Sequence, residues 1–375
     1  MRVLLAGGGT AGHCNPAIAI ATTIKEKNKD AEILFIGNKG KIEETLVEKA
    51  GFPFRAIKIQ GFRRSLSAEN LKTVWLYIKA KEDCRKIIKE FKPDLVIGTG
   101  GYVSGPVVAA AQNMGIPTCI HEQNAYPGVT SKMLSRKADI VFISFPGSEQ
   151  YFGKVKKMVL SGNPLRAEVL STSREEARAK LNIPKDAFYL LSFAGSLGAL
   201  EINRAMVDFI PKNAKQKDFW HTHATGERAW NWMPDALRER GFDVDKEGSI
   251  SVQPYLYDMP IHLAAADAVI SRAGAITLGE LTALGKPAVL IPSPNVTHNH
   301  QYYNARSLSD RGGAILLEEK DLSAERLYEL ILGLKNHPEQ RAALSRHARE
   351  LALPQAGEEI YQEIFALLHP EKKGS

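Results

Sequence analysis

A strand-to-helix unit occurs twice in this chain, and that repeat restricts the fold more than any other feature. Asp94-Leu95-Val96-Ile97-Gly98-Thr99-Gly100-Gly101 is matched by Asp267-Ala268-Val269-Ile270-Ser271-Arg272-Ala273-Gly274. Each begins with an apolar run short enough to be a strand buried on both faces, reaches a glycine, and continues in a helical pattern. Gly115-Ile116-Pro117 and Gly285-Lys286-Pro287 then close the two helices before a further strand. The opening strand with its glycine turn, residues 3–12, has its own counterpart in Tyr189–Phe193 followed by Ala194-Gly195-Ser196-Leu197-Gly198. Strands alternating with helices predict an α/β chain of two Rossmann-like, doubly wound parallel-sheet domains. Gly162-Asn163-Pro164 is the natural joint, giving domains over 1–163 and 164–353. The amphipathic segment 354–375 is expected to pack back towards the first domain. A length of 375 residues suits two cores.

Composition narrows the partners. No run of about 18 apolar residues is present, so no spanning helix is expected. Val3–Ala6 is too short for a signal peptide and glycines follow it at once. The three cysteines (Cys14, Cys84, Cys119) lack metal-ligand spacing and fit a reducing cytoplasm. The net charge of +7 favours anionic partners, phosphates or acidic lipid headgroups, while no nucleic-acid motif is present.

The glycine turns carry the chemistry. At Gly274 the backbone folds tightly, and the following helix N-terminus offers unpaired N–H groups where a diphosphate can bind. Glu280, one turn on, is placed to accept from ribose hydroxyls, and Gln301, in the polar loop after the next strand, to read another hydroxylated group. The same residues also fit an ordinary βαβ turn with a solvated Glu. Gly7, Gly9 and Gly12 match the dinucleotide-binding spacing, but the second strand, Glu32–Ile36, ends in Gly37-Asn38 without the ribose-binding acid, which argues against NAD. His13 ends the glycine-rich turn that leads into a helix expected from about Pro16 to Lys27; the positive helix end disfavours an imidazolium and leaves a ring able to accept a proton. A histidine that merely bonds the loop is the alternative. After the strand Thr118–Ile120 come His121-Glu122-Gln123-Asn124, a polar cluster at a strand's carboxyl end, where ligands bind in such sheets.

Three further features have competing readings. Leu71, Val74, Trp75 and Ile78 are spaced i, i+3, i+4, i+7 among Arg63, Arg64, Lys72, Lys79 and Lys81. That stripe either packs on its own core or dips into an anionic bilayer surface. His221 and His223 face the same way on a strand but lack a third metal ligand. Asp243-Val244-Asp245 imitates a metal-holding acidic pair, yet its charged surroundings read as a solvated turn.

Taken together, Gly8-Gly9-Thr10-Ala11-Gly12-His13, Gly100-Gly101-Tyr102-Val103-Ser104-Gly105-Pro106, His121-Glu122-Gln123-Asn124, Gly162-Asn163-Pro164-Leu165-Arg166, Gly195-Ser196-Leu197-Gly198-Ala199 and Arg272-Ala273-Gly274-Ala275-Ile276-Thr277 resemble the MurG family of bacterial glycosyltransferases, in matching order from Arg2 to about Leu368. The resemblance implies a GT-B fold, its two domains facing across a cleft. It implies an inverting transfer of N-acetylglucosamine from UDP-GlcNAc to the 4-hydroxyl of the MurNAc of undecaprenyl-pyrophosphoryl-MurNAc-pentapeptide, the step from lipid I to lipid II in peptidoglycan synthesis. No cofactor or metal is implied. The place implied is the cytoplasmic face of the cell membrane, as a peripheral protein on an anionic surface.

Carried over by position, Thr10, Ala11 and Gly12 would line the donor sugar and phosphate, with Asn124 on the sugar. Arg166 and Ser196 would bind polar groups of the nucleotide, and the backbone at Leu256 the uracil. Ala275, Ile276 and Thr277 would meet the diphosphate, Glu280 the ribose and Gln301 the sugar hydroxyls. Gly100, Gly101, Tyr102, Ser104 and Gly105 would face the acceptor's pyrophosphate. His13 is the expected base, with Glu122 second. Two positions depart from the family pattern: Ala11 replaces a glycine, and Tyr302 stands where a second glutamine often follows Gln301. Another lipid acceptor, such as a diacylglycerol, or a non-catalytic sugar-nucleotide-binding role are the competing readings.

Overall fold

The structure, a computed structural model, describes residues 1–61, 69–195, 198–246 and 248–370, with the side chains of 69–72 also outside the description. The chain forms two compact units, Met1–Leu165 with Leu353–Ser375, and Arg166–Ala352. In the first unit the described strands are β1 (Arg2–Ala6), β2 (Glu32–Asn38), β3 (Phe54–Ile57), β4 (Leu95–Gly98), β5 (Thr118–Glu122), β6 (Ile140–Ile143) and β7 (Met158–Leu160). They form one parallel sheet in the order β3-β2-β1-β4-β5-β6-β7. In the second unit β8 (Tyr189–Phe193), β9 (Trp220–Ala224), β10 (Ile250–Gln253), β11 (Ala268–Ser271), β12 (Ala288–Leu290) and β13 (Ile315–Leu316) form a parallel sheet ordered β10-β9-β8-β11-β12-β13.

The apolar runs are continuous because both faces of each sheet are covered. Along β1, Val3 and Leu5 enter one cluster with Ile20, Ile24 and Leu95, while Leu4 and Ala6 enter another with Val96, Val107 and Ile120. Ile360 and Ile364 of the helix Ala356–Leu368 complete the first of these clusters. The second unit packs a separate core around Leu190, Phe209, Phe219, Ile270 and Ile331.

In both sheets the strand order reverses between two central neighbours, β1 beside β4 and β8 beside β11. Connections leave in opposite directions there, so a crevice opens at the carboxyl ends of those strands. Both repeated glycine turns fall at these points.

Helix starts differ from the sequence expectation. The helix α1 runs Ala11–Lys27, with α2 at Ile42–Lys49, α3 at Glu69–Phe91, α4 at Gly101–Asn113 and α5 at Val129–Ser135. Pro16 and Pro106 therefore lie inside α1 and α4, where each deprives the carbonyl four residues earlier, Gly12 and Tyr102, of its usual helical donor. Both deprived carbonyls belong to the first turn, beside the crevice end of the sheet. On α3 the buried face is Thr73, Leu76, Ala80, Cys84 and Ile88, whereas Val74, Trp75 and Ile78 point outward, Trp75 being 59% and Ile78 63% exposed. The stripe does not pack on its own core, as its bland reading required. Arg63, Arg64 and the side chains of Leu71 and Lys72 lie outside the description.

Candidate functional site

The first unit's glycine turn is closed by its own side chains. Thr10 is the extended residue before α1, and its carbonyl accepts from the His13 and Cys14 N–H groups at 3.2 Å. Ala11 takes ordinary helical backbone, so the methyl at this position carries no conformational cost. Gly9 has φ +84°, and a Cβ there would come within 2.7 Å of the Tyr102 ring. Glu43, fully buried on α2, accepts from Gly9 N–H and Asn38 N–H at 3.2 Å each. The donor that a dinucleotide fingerprint would present to a diphosphate thus meets an internal carboxylate. Nothing in the sequence pattern flagged Glu43 except its place in the first turn of a helix after the end of β2.

The matching turn after β4 presses on it. Gly100 and Gly101 have φ of +99° and +74°; a Cβ on Gly101 would be 2.0 Å from the Gly8 carbonyl oxygen, and one on Gly100 2.8 Å from His13 Nδ1. Only glycine fits a left-handed residue so close to another backbone. Thr99 donates its hydroxyl to the His13 carbonyl at 2.7 Å. Ser104 is buried, accepts from Gly100 N–H at 3.1 Å, and lies 2.7 Å from the Ala6 and Gly100 carbonyl oxygens. Gly105 is packed between Tyr77 and Thr130. Of the five residues expected at an acceptor pyrophosphate, Gly100, Gly101 and Tyr102 lie at the open end of α4, whereas Ser104 and Gly105 are interior.

β5 extends two residues beyond its apolar run, because His121 and Glu122 pair with Phe142 and Ile143 of β6. Glu122 is buried; one carboxylate oxygen accepts from Asn124 N–H and Nδ2 at 3.0 and 3.1 Å, the other from Gly128 N–H at 3.1 Å. It braces the loop that carries Asn124. Half-buried His13 meets Gln123 instead, Nδ1 to Oε1 at 3.0 Å. Burial pushes the Cys14 and Cys84 thiols up to about 12, so neither is a thiolate nucleophile near neutrality.

In the second unit's turn, buried Asn304 donates from Nδ2 to the Ala273 carbonyl at 3.1 Å. Gly274 precedes the helix Ala275–Leu284 with extended backbone, no side-chain cap and no acid in the first turn. Ala275, Ile276 and Thr277 therefore form a helix N-terminus with its positive end at the crevice. Arg272 is turned aside, donating to the Ile291 carbonyl at 3.1 Å and pairing with Glu319. Glu280 is buried on the same helix and bonded by Arg166 at 3.1 Å. Burial pushes its carboxyl above the ordinary glutamate range, and the Arg166 guanidinium pulls it back. Gln301 accepts from Ser293 N–H at 2.9 Å, just after His298 and Asn299, both left-handed. Leu256 is buried between exposed Tyr255 and Tyr257. Ser196 lies outside the described residues; at Gly198 a Cβ would meet the Thr225 carbonyl oxygen at 2.1 Å.

The remaining sequence features resolve simply. His221 and His223 both bond Ser192 Oγ at 2.7 Å, and His223 also bonds Asn203 Oδ1 at 3.0 Å. Among the described residues no cluster of His, Cys, Asp or Glu has metal-site geometry. Asp243 accepts from Asp245 N–H at 3.2 Å and pairs with Lys246, a turn bonded to itself.

The glycosyltransferase family 28 N-terminal domain matches residues 3–143, and the family's C-terminal domain matches residues 189–360. The chain is 45% identical, over all of both proteins, to the UDP-N-acetylglucosamine–N-acetylmuramyl-(pentapeptide) pyrophosphoryl-undecaprenol N-acetylglucosamine transferase of Acetivibrio thermocellus. It is 42% identical to the transferase of the same name from Desulforamulus reducens, over 98% of this chain and 99% of that protein. Among solved structures it is similar to Acinetobacter baumannii MurG, with 28% identity and a TM-score of 0.75 over 97% of this chain and 99% of the other.

Proposed function

This chain belongs to glycosyltransferase family 28, and from that premise we infer that it moves N-acetylglucosamine from UDP-GlcNAc to undecaprenyl-pyrophosphoryl-MurNAc-pentapeptide. The observation that carries the reading is likeness over the whole length, both units included, to transferases named for that reaction. The second unit is the donor unit. Its uncapped helix at Ala275-Ile276-Thr277 takes the diphosphate, Glu280 the ribose hydroxyls, Arg166 and Ser196 the nucleotide's polar groups, the Leu256 backbone the uracil, and Gln301 the sugar. A buried carboxylate already held by a guanidinium is ready to accept from a vicinal diol without further desolvation.

The first unit handles the proton. The acceptor's 4-hydroxyl oxygen attacks the anomeric carbon as the bond to the UDP oxygen breaks, and the electron pair leaves on the diphosphate. The hydroxyl proton passes to His13. His13 suits this better than Glu122, whose carboxylate oxygens already accept from three N–H groups. Positive charge from the helix N-terminus and Arg166 offsets the charge growing on the departing group. Thr10, Ala11, Gly12 and Asn124 border the sugar, and Gly100, Gly101 and Tyr102 the acceptor.

The acceptor's lipid calls for a membrane surface. Outward-facing Val74, Trp75 and Ile78 on α3, with exposed Val129 and Met133 on α5, supply apolar contact beside Lys79, whose Nζ lies 5.4 Å from the Trp75 ring. Tyr77 and Thr130 both flank Gly105, which brings α3 and α5 together at one end of the unit. These residues support our reading of a peripheral protein attached at the cytoplasmic face of the membrane.

Transfer of label from UDP-GlcNAc to lipid I in detergent tests the activity, with a diacylglycerol acceptor run alongside. UDP binding without transfer to either lipid would overturn it. Sedimentation with vesicles containing anionic lipid tests the surface: Trp75→Glu should weaken binding about tenfold while leaving transfer in detergent unchanged.

A further inference from the structure

We propose that Gln123 and His121 are positioning residues that lock His13 in its Nδ1–H tautomer and leave Nε2 as the bare nitrogen. The role of that nitrogen in proton transfer rests on the function proposed above; the tautomer itself does not.

Two backbone carbonyls, which can only accept, anchor the chain of bonds. His121 Nε2 lies 2.9 Å from the Gly162 carbonyl oxygen, so that nitrogen carries the hydrogen. A neutral ring then has an acceptor at Nδ1. His121 is fully buried, and burial lowers its tendency to take a second proton. The amide of Gln123 presents one atom 2.9 Å from the His121 carbonyl oxygen and 2.9 Å from His121 Nδ1. Both of those are acceptors, so the atom facing them is Nε2 with its two hydrogens. The amide orientation, ordinarily ambiguous in a glutamine, is therefore dictated by its surroundings.

Oε1 is then the atom that faces His13 Nδ1 at 3.0 Å, and an amide oxygen needs a donor there. The neutral His13 ring must carry its hydrogen on Nδ1. Gln123 is 2% exposed, so water offers its oxygen little alternative. Gly100 and Gly101 pack on the same ring, within 2.8 Å of Nδ1 and 3.3 Å of Cδ2 for a hypothetical Cβ at each, which restricts its rotation. Two side chains thus transmit the polarity of two fixed carbonyls to one ring. Such outer partners set the tautomer and direction of a working histidine elsewhere.

The test is nitrogen NMR on the intact protein labelled with 15N-histidine, with His13 assigned by the signal missing from His13→Gln. Above the imidazole titration range the wild-type protein should show a protonated Nδ1 and a bare Nε2 at His13. A protonated Nε2 there would overturn the proposal without any variant having to fold. In Gln123→Met, which keeps the volume and removes both amide groups, His13 should become a mixture with the Nε2–H form prominent. Turnover should fall roughly tenfold at nearly unchanged donor KM. An unaltered tautomer in that variant would also sink the lock. A tautomer that shifts while turnover holds would uphold the lock and remove His13 from proton transfer, so the two readings fail separately.

Discussion

The turns after β4 and after β11 grow from nearly the same sequence and occupy equivalent places in their sheets, yet the first is sealed by internal side-chain bonds and the second starts its helix without a side-chain cap. In the first unit Glu43, Thr99, Ser104 and Gln123 take up the polar groups around the paired glycine turns and His13. In the second, the helix after Gly274 begins with no side-chain cap, and Arg272 is drawn away towards Glu319. The difference teaches how one architecture serves two chemistries. A group that handles a proton needs its orientation fixed by internal bonds, whereas a site for an anion needs donors left for the ligand.

The largest effect should come from removing the oriented ring. His13→Ala is expected to lower turnover by about 10²–10⁴-fold with donor affinity nearly intact, measured by steady-state transfer and by UDP calorimetry. Near-normal turnover would mean that the sealed turn orients nothing of consequence. Glu280→Ala acts on the uncapped side: donor KM should rise roughly 10–100-fold, the value of a lost hydrogen-bonded charge, with a smaller change in kcat. An unchanged KM would contradict the ribose assignment. Glu43→Gln probes the seal itself. One of the Gly9 and Asn38 N–H groups loses its acceptor, so denaturant unfolding should report about 1–3 kcal/mol less stability.

The last prediction separates the units by pH. Burial holds His223 down to about 3 and His221 well below 6.5. Unfolded, each binds a proton below about pH 6.5. The unfolded chain therefore carries more protons below pH 6.5, and stability should fall as pH drops from 6.5 towards 3, by up to about 1.4 kcal/mol per pH unit from His223, with His221 adding to the fall below 6.5. Because both belong to the Arg166–Ala352 unit, amide exchange on β8 and β9, corrected for the intrinsic rate, should quicken between pH 7 and 5 beyond that on β1 and β2, in whose unit His121 is the one comparably buried histidine among the described residues. Equal acceleration in the two sheets would refute this.

Much of the architecture could be read before any coordinates. Apolar runs of strand length, several of them leading into glycine turns, mark both sheets, since a strand covered on both faces has no polar face to confuse the pattern. Other features were decided by neighbours distant in the chain. The two added residues of β5 are polar and become strand only because β6 offers a partner. The helices α1 and α4 start ahead of their prolines because a glycine-rich first turn tolerates the missing bond. The outward direction of Val74, Trp75 and Ile78 depends on Leu76, Ala80 and Cys84 winning the core-facing side, which spacing alone does not rank. His13, Glu280 and Gln301 stood out through motif context. Glu43 and the part played by Gln123 did not, because a hydrogen bond between residues 110 apart leaves no local signature.

The helix Ala356–Leu368 belongs to the first unit although it is made after the second, its Ile360 and Ile364 sharing a cluster with Val3 and Leu5. During synthesis the amino-terminal sheet must therefore wait, one side of its interior unfinished, until the whole of the other unit has emerged and the tail is free of the ribosome. A nascent chain stalled before Ala356 would display that unfinished interior to chaperones and proteases, while Arg166–Ala352 could already be closed.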